Sequence, residues 1–548
     1  MDALFIAINA KYIHLNPAVR SLVANSRFTT DFREFTIHDT LETMVDDILE
    51  AAPALIGIST YIWNVNVVRN LLRVLREHTQ TPIVLGGPEV AYDAEHFLTT
   101  TSADFIVTGE GEAVIDELIE HVISGAPRPD HNLATLVNTR LCDTPRVPIK
   151  DLSTLKSPYA PSHGVADMPH RIVYVESSRG CPYRCSYCLS SRDTGVRFIP
   201  VETVVKTLHG VTEMGARTIK FLDRTFNANP NTLALLTSII ETHQPGQTYQ
   251  FEITGDVLDV RIVDFIHAHA PKGLFRFEIG IQSTHEPTNR SVDRIQDTTK
   301  LFSVIRSIRD HDIIDLHLDL IAGLPLETLP RFTQTFNEVY ALKARELQLG
   351  FLKMLRGTKI RREAARYSYE YDADSPYEIR HHDALSAEDV TRIKGVETAL
   401  NAYHNKQHIG DLLPEIVEVH GNAFVFFEAL HTMTIKRHVD FHRFQLDELY
   451  ATLDAFIDTH HLPVSMRDRL KRAYVKRFTV KPKCYFPVVK KGVAHHRAIN
   501  DAALRLGVAA GEVGKHALVF ATSDGINVAY YRHGTCRVID GKNRSLSV

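Results

Sequence analysis

The sequence predicts an α/β protein in three parts: a helix-wrapped parallel sheet over residues 1–150, a partial barrel of six βα units over 165–370, and a mainly helical region over 371–548. Three observations predict it. Apolar bursts of strand length alternate with amphipathic helical stretches through the first part. The alternation continues through the second part, where six strand-length segments each end in polar or glycine-rich residues. Beyond about residue 386 the strand pattern gives way to helical periodicity.

In the first part ALFIAIN (3–9), PALIGIS (53–59), PIVLGG (82–87) and ADFIVTG (103–109) are apolar on both faces, as strands covered by helices on either side must be. VVRNLLRVLREH (67–78) and AVIDELIEHVIS (113–124) supply helical stretches between them. Such sheets bind ligands beyond the carboxyl ends of their strands. The residues there are Ser59-Thr60-Tyr61, Gly86-Gly87-Pro88-Glu89 and Gly109-Glu110-Gly111-Glu112. Glycines at strand ends let a large flat ligand lie against bare backbone; the alternative is that they are ordinary turn glycines. The segment holds no GxGxxG and no phosphate loop ending in Gly-Lys-Ser/Thr, which argues against dinucleotide and nucleoside triphosphate sites.

Composition excludes several classes. With 44% hydrophobic and 23% charged residues the chain is an ordinary globular protein, and 548 residues exceed what one core can organise. A net charge of -4 gives no global reason to expect nucleic acid or an acidic membrane. The N-terminus lacks the basic region of a signal peptide, and no apolar run approaches the ~18–20 residues of a membrane span. Cys142, Cys484 and Cys536 stand singly, so the cysteines form no disulfide framework, and a reducing cytoplasm is expected.

The other three cysteines fall together in SRGCPYRCSYCLSS (178–191), directly after the strand-like RIVYVES (171–177). Cys181, Cys185 and Cys188 have the spacing Cys-x-x-x-Cys-x-x-Cys, with Tyr187 before the last. A structural zinc site would need a fourth ligand or a nearby Cys or His pair, and none follows at suitable spacing. Three soft thiolates suit three irons of a [4Fe–4S] cluster, leaving the fourth iron open. TIKFLDRTFN (218–227), YQFEITGD (249–256), FRFEIGIQS (275–283), LHLDLIAGLPLET (316–328) and LQLGFLKMLRGTKI (347–360) complete the set of six strand-like segments. Helical stretches such as VVKTLHGVTEMG (204–215) and KLFSVIRSIRDH (300–311) separate them.

The triad and these strand ends resemble the radical S-adenosylmethionine (SAM) enzymes, which implies a partial (β/α)6 TIM-like barrel. In that family the open iron chelates the methionine end of SAM. Reductive cleavage of the sulfonium then gives a 5′-deoxyadenosyl radical. The resemblance carries roles onto Asp223 and Glu252, which would meet SAM's amino or ribose groups, and onto Gln282 and Ser283 at the end of the fourth strand. Arg294 would pair with the SAM carboxylate. Gly323 and Pro325 would let the fifth strand approach the adenine, Leu355 would offer it backbone groups, and Tyr187 would pack on the ring. For each carboxylate the alternative is a salt bridge tying strands to loops.

The loops of the first part are similar to the Rossmann-like cobalamin-binding domain, which implies that Ser59, Thr60, Gly86, Gly87, Glu89, Gly109 and Glu110 border a corrin. The Asp-x-His-x-x-Gly of histidine-ligating members is absent, so cobalt is expected to lack a protein histidine ligand. His14, in KYIHLNP, is one neighbour of the corrin's lower face to consider, or a helix-starting residue; Tyr61 and Trp63 are others. A cobalamin domain preceding a radical SAM barrel is the arrangement of cobalamin-dependent radical SAM enzymes. Most characterised members are methyltransferases acting on unactivated carbon. The resemblance thus implies an enzyme using a [4Fe–4S] cluster, SAM and cobalamin, and an external reductant such as flavodoxin or ferredoxin. Radical rearrangement, ring contraction or sulfur insertion is the alternative, and a barrel without cobalamin a further one. The substrate is expected to be a small molecule, with a tRNA as the alternative.

The last part resembles an uncharacterised region that often follows this pair of domains. SAEDVTRIKGVETALNAYHN (386–405), AFVFFEALHTMTIKRHV (423–439) and QLDELYATLDAFIDTH (445–460) read as helices, with β structure in HALVFATS (516–523) and INVAYYRHGTCRVID (526–540). From residue 461 onward there are 17 Lys and Arg against 5 Asp and Glu, with Tyr474, Phe478, Tyr485 and Phe486 interleaved. That pattern suits tRNA or another polyanion; the ordinary alternative is a basic surface facing acids of the same protein. Cys484 and Cys536 are read as ordinary thiols, or as late hydrogen-atom donors.

Overall fold

The structure, a computed structural model, describes residues 1–159, 165, 167–192 and 195–541. The chain folds as two compact units, Met1–Phe332 with Gly350–Ala387, and Thr333–Leu349 with Glu388–Val548.

In the first unit β1 (Ala3–Asn9), β2 (Thr30–Thr36), β3 (Leu55–Ser59), β4 (Ile83–Gly86) and β5 (Phe105–Val107) form a parallel sheet. β6 (Leu133–Val137) and β7 (Arg140–Asp143) extend it as an antiparallel edge, giving the order β2-β1-β3-β4-β5-β6-β7. Every residue of β1 and β3 is buried because helices cover both faces. Leu4, Ile6 and Ile8 pack with helices Leu41–Ala51 and Val65–His78; Ala3, Phe5 and Ala7 pack on the opposite face with Pro17–Asn25 and Ile115–Ser124. The four anticipated strands are present, and β2 and the β6–β7 hairpin are additional. β2, TDFREFT, is half-exposed along its whole length, because an edge strand has only one neighbour and is not forced to be apolar.

The second sheet begins with β8 (Ile172–Val175). A two-stranded ribbon, β9 (Ser178–Gly180) and β10 (Val196–Phe198), interrupts the sequence. The sheet then continues through β11 (Thr218–Phe221), β12 (Thr248–Ile253), β13 (Phe275–Gln282), β14 (Asp315–Ala322) and β15 (Glu346–Phe351). Its order, β15-β14-β13-β12-β11-β8, is the expected partial six-stranded barrel, and β8 and β11 through β14 pair in parallel. Crossover helices Val201–Glu213, Thr232–Thr242, Val260–His269 and Thr298–His311 follow successive strands, so all strand tops lie at one end. Burial alternates along β13: Phe275, Phe277, Ile279 and Ile281 are buried, while Arg276, Glu278, Gly280 and Gln282 on the other face, toward the lumen, stay partly open. A small ribbon of β16 (Glu370–Tyr371) and β17 (Ile379–His381) follows.

The second unit is mainly helical, as expected, and ends in an antiparallel sheet of β18 (Ala517–Thr522), β19 (Gly525–Arg532) and β20 (Thr535–Ile539). The cations of helix Val464–Lys476 face acids of the same unit: Arg467 pairs with Asp454 at 2.9 Å, and Arg469 and Arg472 pair with Glu415 and Asp524. Tyr474 and Phe486 are buried, in an aromatic cluster with Tyr450, Tyr485 and Phe520. Lys542 and Arg544 of the basic segment lie outside the described residues. No helix among the described residues is long and apolar enough to cross a membrane.

Candidate active site

The ribbon β9–β10 presents, in the loop between its strands, Cys181 and Cys185, both buried, and Cys188, half-buried. None is in a disulfide. The loop is pinned by Ser186, whose N–H donates to the Val292 carbonyl at 2.9 Å and whose carbonyl accepts from the Ile360 N–H at 3.0 Å. Burial pushes the Cys181 thiol up, and the neighbouring thiols of Cys188 and Cys185 push it further. Yet among the described residues no three His, Cys, Asp or Glu converge on a point that one metal ion could occupy. Sulfurs on a single zinc would lie about 4 Å apart. Three thiols gathered on one short loop suit a multi-iron cluster, in which each thiolate holds its own iron.

Beside the triad stand the residues anticipated for SAM, with unequal freedom. The Arg294 guanidinium lies 4.0 Å from the Cys185 sulfur and 3.4 Å from the Tyr187 hydroxyl, and donates to Gln296 and the Gly280 carbonyl. Gln282 tops β13 with φ +67, and its side-chain oxygen is buried without a hydrogen-bond partner. Such an orphaned acceptor beside the triad is what a missing polar ligand would leave. Glu252 has no hydrogen bond or ion pair among the described residues, and burial raises its carboxyl above the usual range.

Others are already engaged by the protein. Asp223 is buried and accepts from the Ser177 N–H at 2.8 Å and from the Ser177 and Ser178 hydroxyls. Ser283 donates to Glu327 at 2.6 Å. Gly323 takes φ +90, and a Cβ there would lie 1.8 Å from Ile379; it accommodates that side chain, while its carbonyl accepts from the Tyr369 hydroxyl. The Leu355 N–H donates to the Lys353 carbonyl, and its own carbonyl accepts from the N–H and hydroxyl of Thr358. The structure therefore gathers the triad, Tyr187, Arg294 and Gln282, with Asp223, Ser283, Gly323 and Leu355 as their scaffold.

A cavity of about 450 Å³ opens at the carboxyl ends of β3, β4 and β5, lined there by Ser59, Tyr61, Gly86, Gly87, Gly109 and Glu110. Its opposite wall is Glu176 after β8, Ser178–Gly180 of β9, and Leu222 and Arg224 after β11. Gly180 directly precedes Cys181. Arg179 clamps the two walls, pairing with Glu112 at 2.9 Å, Glu110 at 3.3 Å and Glu176 at 3.0 Å; Arg197 adds a pair with Glu110 at 2.8 Å. Burial alone would raise the Glu112 carboxyl, but Arg179 overrides it and holds it below the ordinary value.

The glycines here do different work. Gly87 has φ +109, and a Cβ would lie 2.4 Å from the Thr60 carbonyl oxygen; Gly109 is pressed against Asn132. Both are demanded by the fold. At Gly86 a Cβ would meet only Val107, at an ordinary 3.7 Å, so what that glycine keeps clear is the cavity. A broad ligand against bare backbone, as a corrin is, fits this cradle. Thr60 and Glu89 do not reach it: Thr60 is fully buried and bonded to the Gly86 and Ile58 carbonyls, and Glu89 is buried against Tyr377 and Arg356. His14 sits 2.7 Å from the Tyr174 hydroxyl, and no histidine, cysteine or methionine is among the described lining residues. Arg179, Arg197, Glu176 and Arg224 went unnoticed in the sequence. Only strand alternation in RIVYVES, which sets Glu176 on the face of Tyr174, hinted at any of them.

The chain resembles known proteins in the same two places. A Radical SAM superfamily model matches residues 175–339 and a B12 binding domain model residues 6–119; a model of a protein of unknown function, DUF4080, matches 365–496. The chain is 24% identical over 311 residues to 2-(S-pantetheinyl)-carbapenam-3-carboxylate methyltransferase of Streptantibioticus cattleyicolor, a match covering 52% of this chain and 45% of the relative. It is 27% identical over 284 residues to the anaerobic magnesium-protoporphyrin IX monomethyl ester cyclase of Synechocystis sp., covering 46% and 52%. The chain thus spans about half the length of the curated relatives it matches. Its fold is similar to that of the cobalamin-dependent radical enzyme OxsB (TM-score 0.62, 13% identity, 86% of this chain and 78% of that one). It is similar also to TsrM from Kitasatospora setae (TM-score 0.56, 16% identity, 66% and 74%). With a cysteine triad on a partial barrel and a glycine-edged cradle beside it, the chain carries a radical SAM domain and a B12 binding domain, whose cofactors are a [4Fe–4S] cluster with SAM and cobalamin.

Proposed function

We propose that the protein is a methyltransferase that cleaves SAM reductively and methylates an unactivated carbon of a small molecule. The observation that carries this reading is the continuity of the two sites: Gly180, in the cavity wall, is bonded to Cys181. When bound, the cluster supplies the electron for SAM cleavage and cobalamin carries the methyl group. Cys181, Cys185 and Cys188 would hold the cluster. Arg294 places positive charge beside the Cys185 sulfur and would pair with the carboxylate of SAM. Gln282 offers that ligand an acceptor and Tyr187 a ring face. Ser59, Gly86, Gly87, Gly109 and Glu110 would border the corrin, with Thr60 and Glu89 holding those loops from behind. The Arg179 clamp keeps the two walls together, so that a radical formed at the barrel mouth meets its target and not solvent. An acidic one-electron carrier such as flavodoxin or ferredoxin would serve as reductant.

The match to a cyclase favours ring-forming radical chemistry as a second reading. Anaerobic reconstitution tests both. The proposal expects about four iron and four sulfide per chain, retention of hydroxocobalamin through gel filtration, and 5′-deoxyadenosine on adding SAM and reductant. S-adenosylhomocysteine formed in step with substrate consumption marks methyl transfer. Its absence during substrate turnover would give the second reading the case. A protein that keeps the cluster and sheds cobalamin would sink both.

A further inference from the structure

Most charged groups around the barrel mouth are matched by the protein itself. Glu110, Glu112 and Glu176 are taken by Arg179 and Arg197. Lys220 pairs with Glu278 at 3.0 Å, and Asp319 lies 3.1 Å from His317. Two are not. Glu252, half-buried on the lumen face of β12, stands in register beside Glu278, whose charge Lys220 and His317 already answer. Arg224 lies in the cavity wall after β11, and its guanidinium has no hydrogen bond or ion pair among the described residues. The two sense each other, since Arg224 opposes the effect of burial on the Glu252 carboxyl, yet they form no ion pair within 4.0 Å. A half-buried carboxylate left unpaired is costly, and a nearby cation that does not close on it leaves room for something between. β11 and β12 are adjacent strands; Arg224 follows β11 into the cavity wall, and Glu252 lies near the top of β12.

We propose that the methyl acceptor is a zwitterion, its cationic group received by Glu252 and its anionic group by Arg224. This rests on the methyltransferase reading. SAM itself ends in an ammonium and a carboxylate, so the same chemistry has two possible sources, which experiment separates.

Cluster- and cobalamin-loaded protein is titrated by ligand-observed nuclear magnetic resonance with the free amino acids as zwitterionic probes. Each is also presented N-acetylated, leaving the anion, and as its methyl ester, leaving the cation. At least one zwitterion is expected to bind, with both blocked forms weaker by about tenfold or more, the loss of one charge-assisted hydrogen bond. Arg224→Gln removes the preference over the ester and Glu252→Gln the preference over the N-acetyl form; Arg224→Lys and Glu252→Asp retain part of each. Both Gln variants keep the change that SAM induces in the cluster's electron paramagnetic resonance. Blocked forms binding as well as zwitterions, or no probe binding, overturn the proposal. Loss of the SAM-induced change in either Gln variant assigns the pair to SAM and overturns it too. Absence of that change in the unsubstituted protein sinks the methyltransferase reading instead.

Discussion

Single residues divide into those that serve the fold and those that serve a ligand, and neighbouring Gly86 and Gly87 sit on either side of that line. Gly87→Ala forces an L-residue to φ +109 and drives its Cβ against the Thr60 carbonyl, so it is expected to cost at least about 1–2 kcal/mol. Gly86→Leu places its Cβ at an ordinary distance from Val107, and is expected to cost less stability than Gly87→Ala. Its side chain enters the cradle, however, and cobalamin retention is expected to fall at least tenfold. Urea unfolding and gel-filtration retention of hydroxocobalamin on the two variants check both halves. Equal loss of stability in the two would show that Gly86 also belongs to the fold. In the sequence the pair reads simply as GG: what separates them is the backbone of Thr60 on a neighbouring strand, which no local pattern records. The triad, by contrast, was legible because its chemistry is written in spacing along one loop.

Among the elements, the polar stripe across the barrel and the clamp between the sheets carry the energetics. Lys220 on β11, Glu278 on β13 and His317 on β14 form one row, with Gln250, Glu252 and Asp319 around it. Burial alone would raise the Glu278 carboxyl, but His317 and Lys220 pull it down to about 2. A carboxyl lowered in the folded state stabilises above its unfolded value near 4.5 and loses that contribution as the pH falls toward 2. Glu278 is therefore expected to contribute on the order of 3 kcal/mol at neutral pH. The gap in urea-unfolding free energy between the protein and Glu278→Gln narrows by about 1 kcal/mol at pH 3.5; a gap independent of pH would refute the stripe. Arg179→Met leaves Glu112 and Glu176 without a cation, Glu110 keeping Arg197, and is expected to cost about 3–5 kcal/mol, with cobalamin retention lost in parallel. Retention unchanged in that variant would mean that the clamp is dispensable to the cradle. The six barrel strands were legible because each buries an apolar residue at every second position; β2 was not, since its half-exposed TDFREFT reads as a polar loop.

At the scale of the whole molecule, part of the charge that looked like an interaction surface in the sequence is answered internally. The cations of helix Val464–Lys476 find Asp454, Glu415 and Asp524, and the interleaved aromatics Tyr474 and Phe486 are buried. Binding of bulk tRNA to the full chain is accordingly expected to be weak, without the steep salt dependence of a phosphate-reading surface; saturable binding at 0.15 M salt that collapses as salt rises would restore the polyanion reading. A spacing count could not anticipate this, because the neutralising acids come from separate helices and a sheet. Elsewhere the molecule carries a means of watching itself work. Its only tryptophan, Trp63, stacks on Tyr61 in the cradle wall with ring centroids 4.3 Å apart. Its emission lies where a corrin absorbs, so loading the cradle is expected to quench the tryptophan signal, and occupancy can be followed in real time without any attached dye.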